Sequence, residues 1–110
     1  MSRYEQRRRK LLQNEEVAVG YREMAAELEL MHAIDDVRKQ LHMSQEQLAT
    51  RMGKKREAVS RLFSADDINP TLDTLIELLS ALNLTADITL RQAREGEGPI
   101  KVATEIAPSQ

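Results

Sequence analysis

No cysteine occurs among the 110 residues. A disulfide framework, a thiolate metal site and a cysteine nucleophile are therefore excluded together. Aromatic residues make up only 3% of the chain, and there is no tryptophan. The core must come from Leu, Ile, Val, Ala and Met, which favours helices over a β-sandwich built on aromatic and β-branched side chains. No apolar run approaches the ~18 residues of a membrane-crossing helix. The opening MSRYEQRRRKLLQNEE is basic but lacks the apolar stretch of a signal peptide. The expectation is a cytoplasmic protein with no membrane partner.

Catalytic patterns are scarce too. His32 and His42 stand ten positions apart with no clustered carboxylates nearby, which argues against a metal centre. Asp35-Asp36 and Asp66-Asp67 read as helix-surface and turn residues rather than as a catalytic pair. No Ser/His/Asp arrangement is suggested by spacing. The expectation is no enzyme, no metal and no cofactor.

What is present is a helical protein of ordinary globular composition, 41% hydrophobic and 31% charged. Its length suits one domain plus extensions. The net charge of −2 decides little, but its distribution is uneven. Residues 1–10 carry five positive charges and one negative, and residues 54–61 carry four positives and one negative. Most acidic residues lie elsewhere.

Residues 15–30 have high helix propensity, interrupted only by Gly20, and run on without a strong stop. Leu30, Ile34, Val37 and Leu41 form one helical stripe. Ser44 with Gln47 three residues later makes a capping box for a short helix carrying Leu48, Ala49 and Met52. Gly53 supplies the left-handed residue that ends it. A further helix is expected over 55–63, with Val59, Leu62 and Phe63 inward. SADDINP is a turn-rich connection. Pro70 and Thr71 open another helix, with Leu72, Leu75, Ile76, Leu79 and Leu82 inward and Asn83 at its end. Met24, Met31, Met43 and Met52 read as core filler.

The period then changes to two. Leu84, Ala86, Ile88 and Leu90 alternate with Thr85, Asp87, Thr89 and Arg91, the pattern of a half-buried strand. A lone strand needs a partner. IKVATEI at 100–106 is the one candidate within the chain; the same strand of a second subunit is more economical. Ala86, Ile88 and Leu90 are thus candidate dimerisation residues.

The stretch MSQEQLATRMGKKREAVSRLF at 43–63 meets each demand of a helix-turn-helix. Two short helices flank a glycine turn, a small Ala49 lets them approach, and Val59 anchors the second. That helix would enter a major groove. Its outward residues are Lys54, Lys55, Arg56, Glu57, Ser60 and Arg61. Arg bonds guanine O6 and N7 bidentately, and Lys reaches guanine or phosphate. Glu57 has two open uses: accepting from cytosine N4, or pairing with Arg61 four residues on.

These residues carry a resemblance. S-Q-E-Q-L-A-x-x-M-G, then A-V-S-R-L, then N-P-T-L-D-T-L-x-x-L-L-x-A-L-N-L look like the Xre/Cro helix-turn-helix family over roughly residues 30–84. The resemblance implies an all-α, lambda-repressor-like bundle of about five helices that binds double-stranded operator DNA. It gives Gln45 a phosphate contact, Arg56, Glu57 and Arg61 base-facing positions, and Ser60 a backbone or base contact. The chain departs from the family at Lys54-Lys55, where a small polar N-cap is usual. The order of basic arm, N-E-E-V-A-x-x-Y-x-x-M-x-x-E-x-x-L-x-x-A-I, helix-turn-helix and terminal D-I-T-L is similar to HigA-like antitoxins. That implies a repressor of its own operon, and as partner a small basic toxin of the RelE/HigB-like ribonuclease class. The resulting organisation is 1–29 basic arm and helical extension, a possible toxin-binding region; 30–84 helix-turn-helix domain; 85–92 dimerisation strand; 93–110 flexible tail. Arg7, Arg8, Arg9 and Lys10 suit DNA, a toxin surface or solvent. The alternatives are a stand-alone phage-type Xre repressor and a helical scaffold that binds only protein.

Overall fold

A computed structural model of the chain describes residues 3, 5, 6, 17–64 and 70–106, the side chains of 17–22 excepted. Four helices are defined among the described residues: α1 Val17–Gln40, α2 Gln45–Met52, α3 Arg56–Leu62 and α4 Leu72–Ala81. Most of the SADDINP connection, the basic run Arg7–Lys10 and the last four residues lie outside the described residues.

Helix α1 is continuous for 24 residues. Gly20 sits inside it, and residues 29 and 30 follow in mid-helix, as a segment without a strong stop implies. The cost of one glycine, about 1 kcal/mol, is small against a helix that gains from packing along its second half.

The core forms where α1 meets the other three helices. Met31, Ile34, Leu48, Ala49, Val59, Leu78 and Leu82 make one buried cluster. Burying each of its larger side chains contributes roughly 1.5–3 kcal/mol. The stripe of α1 agrees with the expected one at its two middle residues and differs at its ends, with Met31 taking the place of Leu30. Met31, Ile34 and Val37 are buried, Leu30 is half-buried and Leu41 is exposed. Leu41 falls beyond the end of α1, where the chain leaves the core.

Helix α4 likewise turns a narrower face inward than expected. Leu78 and Leu82 are buried, and Leu75 and Leu79 half-buried. Leu72 and Ile76, expected inward, are 71% and 56% exposed. An apolar helix does not mark its own inner side. The stripe is set by Leu78 and Leu82, one turn apart, and it rotates Ile76 outward.

Three helices end in the same way. His42, Gly53 and Asn83 all have left-handed φ, at 57°, 65° and 57°. In each case two backbone N–H groups reach back to the last turn. His42 and Met43 donate to the Lys39 and Arg38 carbonyls, Gly53 and Lys54 to those of Thr50 and Ala49, and Asn83 and Leu84 to those of Ser80 and Leu79, at 2.8–3.2 Å. The paired bonds satisfy carbonyls that a helix end otherwise leaves free.

Beyond the four helices, Arg3, Glu5 and Gln6 are also helical, and the expected strand is not found among the described residues. Residues 85–92 run without regular secondary structure, and Ile88 and Leu90 are 82% and 92% exposed. Neither residues 100–106 nor any other described segment pairs with them. A period-two pattern stays unpaired when no second strand lies alongside.

Further on, the chain is folded back on itself. Arg91 donates from both terminal nitrogens to the two Glu97 carboxylate oxygens, at 2.8 and 2.7 Å. The Arg94 backbone N–H adds a third bond to Glu97 Oε1 at 2.7 Å. Gly96, at φ 84°, lies inside this turn.

Candidate nucleic-acid interface

The interface starts from the cap of α2. Ser44 Oγ accepts the Gln47 N–H at 3.0 Å, and Gln47 Oε1 accepts the Ser44 N–H at 2.8 Å. This is the reciprocal capping box expected from S-Q-E-Q, and it satisfies donors at a helix start. It fixes the first residue of α2, Gln45, which is half-buried. At the other end Gly53 turns the chain. Nothing lies within 4 Å of the place a Cβ would occupy on Gly53. The need for glycine there is conformational and owes nothing to crowding.

Helix α2 packs against both α3 and α4. A second tie is made by Arg51, whose Nη1 donates to the Ala81 carbonyl at 3.0 Å. The end of α4 is thereby held to α2.

Helix α3 starts at Arg56, with Lys55 as the flanking residue in extended conformation and no side-chain cap. The departure noted at Lys54-Lys55 therefore has a structural result: the helix begins without its hydroxyl or amide cap. Glu57 lies in the first turn. A carboxylate there interacts favourably with the helix dipole, a role that compensates in part for the missing cap. Among the described residues no ion pair joins Glu57 to Arg61. Of its two open uses, base contact stays open, and dipole compensation is added beside it.

Val59 is fully buried and holds α3 down. Lys54, Lys55, Arg56, Glu57, Ser60 and Arg61 are all exposed. The six form one surface on α3 and the turn before it. Lys54 differs from the rest, since its Nζ lies 3.5 Å from Glu77 Oε2 on α4.

Arg38 underlies the arrangement and was not singled out in the sequence. It is 8% exposed. Its Nε donates to Asp35 Oδ1 at 2.9 Å and its Nη1 to the Met43 carbonyl at 2.7 Å. Its guanidinium carbon lies 6.0 Å from the centre of the Phe63 ring, at the residue just after α3. One cation thus touches α1, the loop that delivers Ser44, and the end of α3. The available signal was the Asp35-to-Arg38 spacing of three.

The helix-turn-helix family model matches residues 34–88, half of the chain. The chain belongs to the Xre/Cro helix-turn-helix family. Comparison with curated proteins and with solved structures finds no match. The family match covers the late part of α1, the α2–turn–α3 pair and α4. Membership makes this Xre/Cro protein a DNA-binding transcription regulator. No helix among the described residues is long and apolar enough to cross a membrane. No group of three His, Asp or Glu among them could hold a metal ion.

Proposed function

We propose that the protein is a sequence-specific repressor that binds double-stranded DNA as a homodimer. The observation that carries the reading is the outward cationic face of α3, on a chain of net charge −2. Arg56 and Arg61 read bases, with Ser60 and Glu57 as further base-edge contacts. Gln45 and Lys55 hold phosphate, and Lys54 joins them when it leaves Glu77. Two such surfaces would meet half-sites about one helical turn apart, near 34 Å. Pairing of Ala86, Ile88 and Leu90 with the same segment of a second copy would cover side chains that stand exposed in one chain. The reading gives the chain no catalytic role.

Salt titration of binding to the upstream region of its own gene tests this. Log affinity should fall against log salt with a slope near −0.9 per phosphate contact. Absence of binding above background at low salt would remove it and leave the protein-binding scaffold. The dimer is tested by Ile88→Pro, which should yield monomers on sedimentation because proline cannot donate to a ladder.

The finer reading is an antitoxin that neutralises a small basic ribonuclease of the RelE/HigB-like class. It is favoured by α1 starting at Val17, well before the matched region, and by the resemblance of residues 14–34 to HigA-like chains. Co-expression with the neighbouring gene's product should give a complex that removal of residues 1–29 abolishes. If no complex forms, the stand-alone phage-type repressor remains.

A further inference from the structure

Residues 91–106 return to a part of the molecule that lies outside the core cluster. The return is fastened twice. The first fastening is the Arg91–Glu97 pair, reinforced by the Arg94 N–H and by Lys101 Nζ at 3.9 Å from Glu97 Oε2. The Glu97 N–H also donates to the Arg94 carbonyl at 3.1 Å, closing the turn. The second is on α1, where the Val102 N–H donates to Glu29 Oε1 at 3.3 Å. Val102 and Ile106 are half-buried, whereas Ala103, Thr104 and Glu105 are exposed. Val102 and Ile106 are thus the covered side chains of the segment.

On α1, Ala26 stands three residues before Glu29, so the two share a helix face. Ala26 is buried, yet it does not belong to the cluster formed with α2, α3 and α4. Beside it, Glu27 Oε2 lies 3.8 Å from Arg3 Nη1, and Glu29 takes the Val102 N–H.

We infer that residues 98–106 are a strap, buckled by Arg91–Glu97 and pinned by Glu29, that closes over the Ala26–Glu29 face of α1. The strap is an autoinhibitory contact. It shields the segment of α1 assigned above to a protein partner, and the partner must displace it to reach that face. Naming that occupant rests on the antitoxin reading; the closure itself does not. Each fastening is polar and accessible to water, so opening costs little and needs no disruption of the core.

The absence of cysteine gives a direct test. Ala26→Cys introduces a unique thiol, and its rate of alkylation by iodoacetamide reports on cover. In the otherwise intact chain labelling should be slow. Ending the chain after residue 97, or adding Val102→Pro to remove the pinning N–H, should speed it about tenfold or more. Unchanged rates in both would overturn the strap, whatever binds α1. Far-UV circular dichroism on each variant checks that the helices persist, and if the shortened chain unfolds the Val102→Pro chain decides. With the neighbouring gene's product as probe, the shortened chain should bind faster than the full one. Equal rates would overturn the inhibitory role. Binding by neither would defeat the antitoxin reading, while the labelling result still judges the strap.

Discussion

Arg38→Met is the substitution with the largest expected effect outside the apolar core. Methionine keeps much of the packed stem and removes the guanidinium. Lost are the 2.9 Å bond to Asp35 and the 2.7 Å bond to the Met43 carbonyl, together with the approach to Phe63. Hydrogen bonds to charged groups contribute roughly 1.5–3 kcal/mol, and stranding one member of a buried pair costs about 3–5. Here the upper figures do not apply. Asp35 keeps Lys39, whose Nζ is 3.4 Å from its Oδ2, and it retains some access to water. The expected loss is about 2–3 kcal/mol, read as a lower urea midpoint with an unchanged slope. In thermal melts it corresponds to a fall of roughly 8–20 °C. A double-mutant cycle with Asp35→Asn should return a coupling of about 1 kcal/mol. A loss below about 0.5 kcal/mol for Arg38→Met would refute the reasoning, showing that Arg38 is a surface residue in solution.

Three other outcomes are expected. Gly53→Ala should cost about 1 kcal/mol from its left-handed φ alone, whereas His42→Gly should gain up to about 1 kcal/mol by relieving the same strain; urea unfolding of the pair decides it. Hydrogen bonds from Arg91 and then from the Arg94 N–H, with the nearby positive charges, hold the Glu97 carboxyl down to about 2 against an ordinary 4.5. The clasp is therefore fully present above about pH 4.5 and lost as pH falls through about 2. An NMR titration of the Glu97 side chain with a midpoint near 4.5 would contradict it. Arg56→Ala should weaken binding to the specific site by about 1–3 kcal/mol and relax one base position, while an equal loss on every sequence would make Arg56 a phosphate contact.

Local features of this chain are legible in its sequence, and distant ones are not. The capping box at Ser44 and Gln47 and the turn at Gly53 depend on residues within a few positions, so their letters suffice. The exposed face of α3 follows from Val59 and helical spacing. Four things escape such reading. Leu72 and Ile76 point outward because α4 is apolar on several sides, and only Leu78 meeting Leu48 and Val59 in the core fixes its rotation. Arg38 reads as a surface charge until Met43 and Phe63 are seen to converge on it. Lys54 reads as a free cation because Glu77 is far along the chain. The period-two segment at 85–92 is a pattern whose partner no position in the chain identifies.

The Lys54–Glu77 contact changes how a salt titration should be counted. A free lysine that reaches a phosphate sends one condensed ion from the DNA into solution. Lys54 first has to leave a carboxylate, and that exposed pair is itself weakened by salt. Its contribution to the slope is therefore reduced. A slope of log affinity against log salt would then report fewer contacts than the protein makes, and Glu77→Gln would steepen that slope without adding any positive charge.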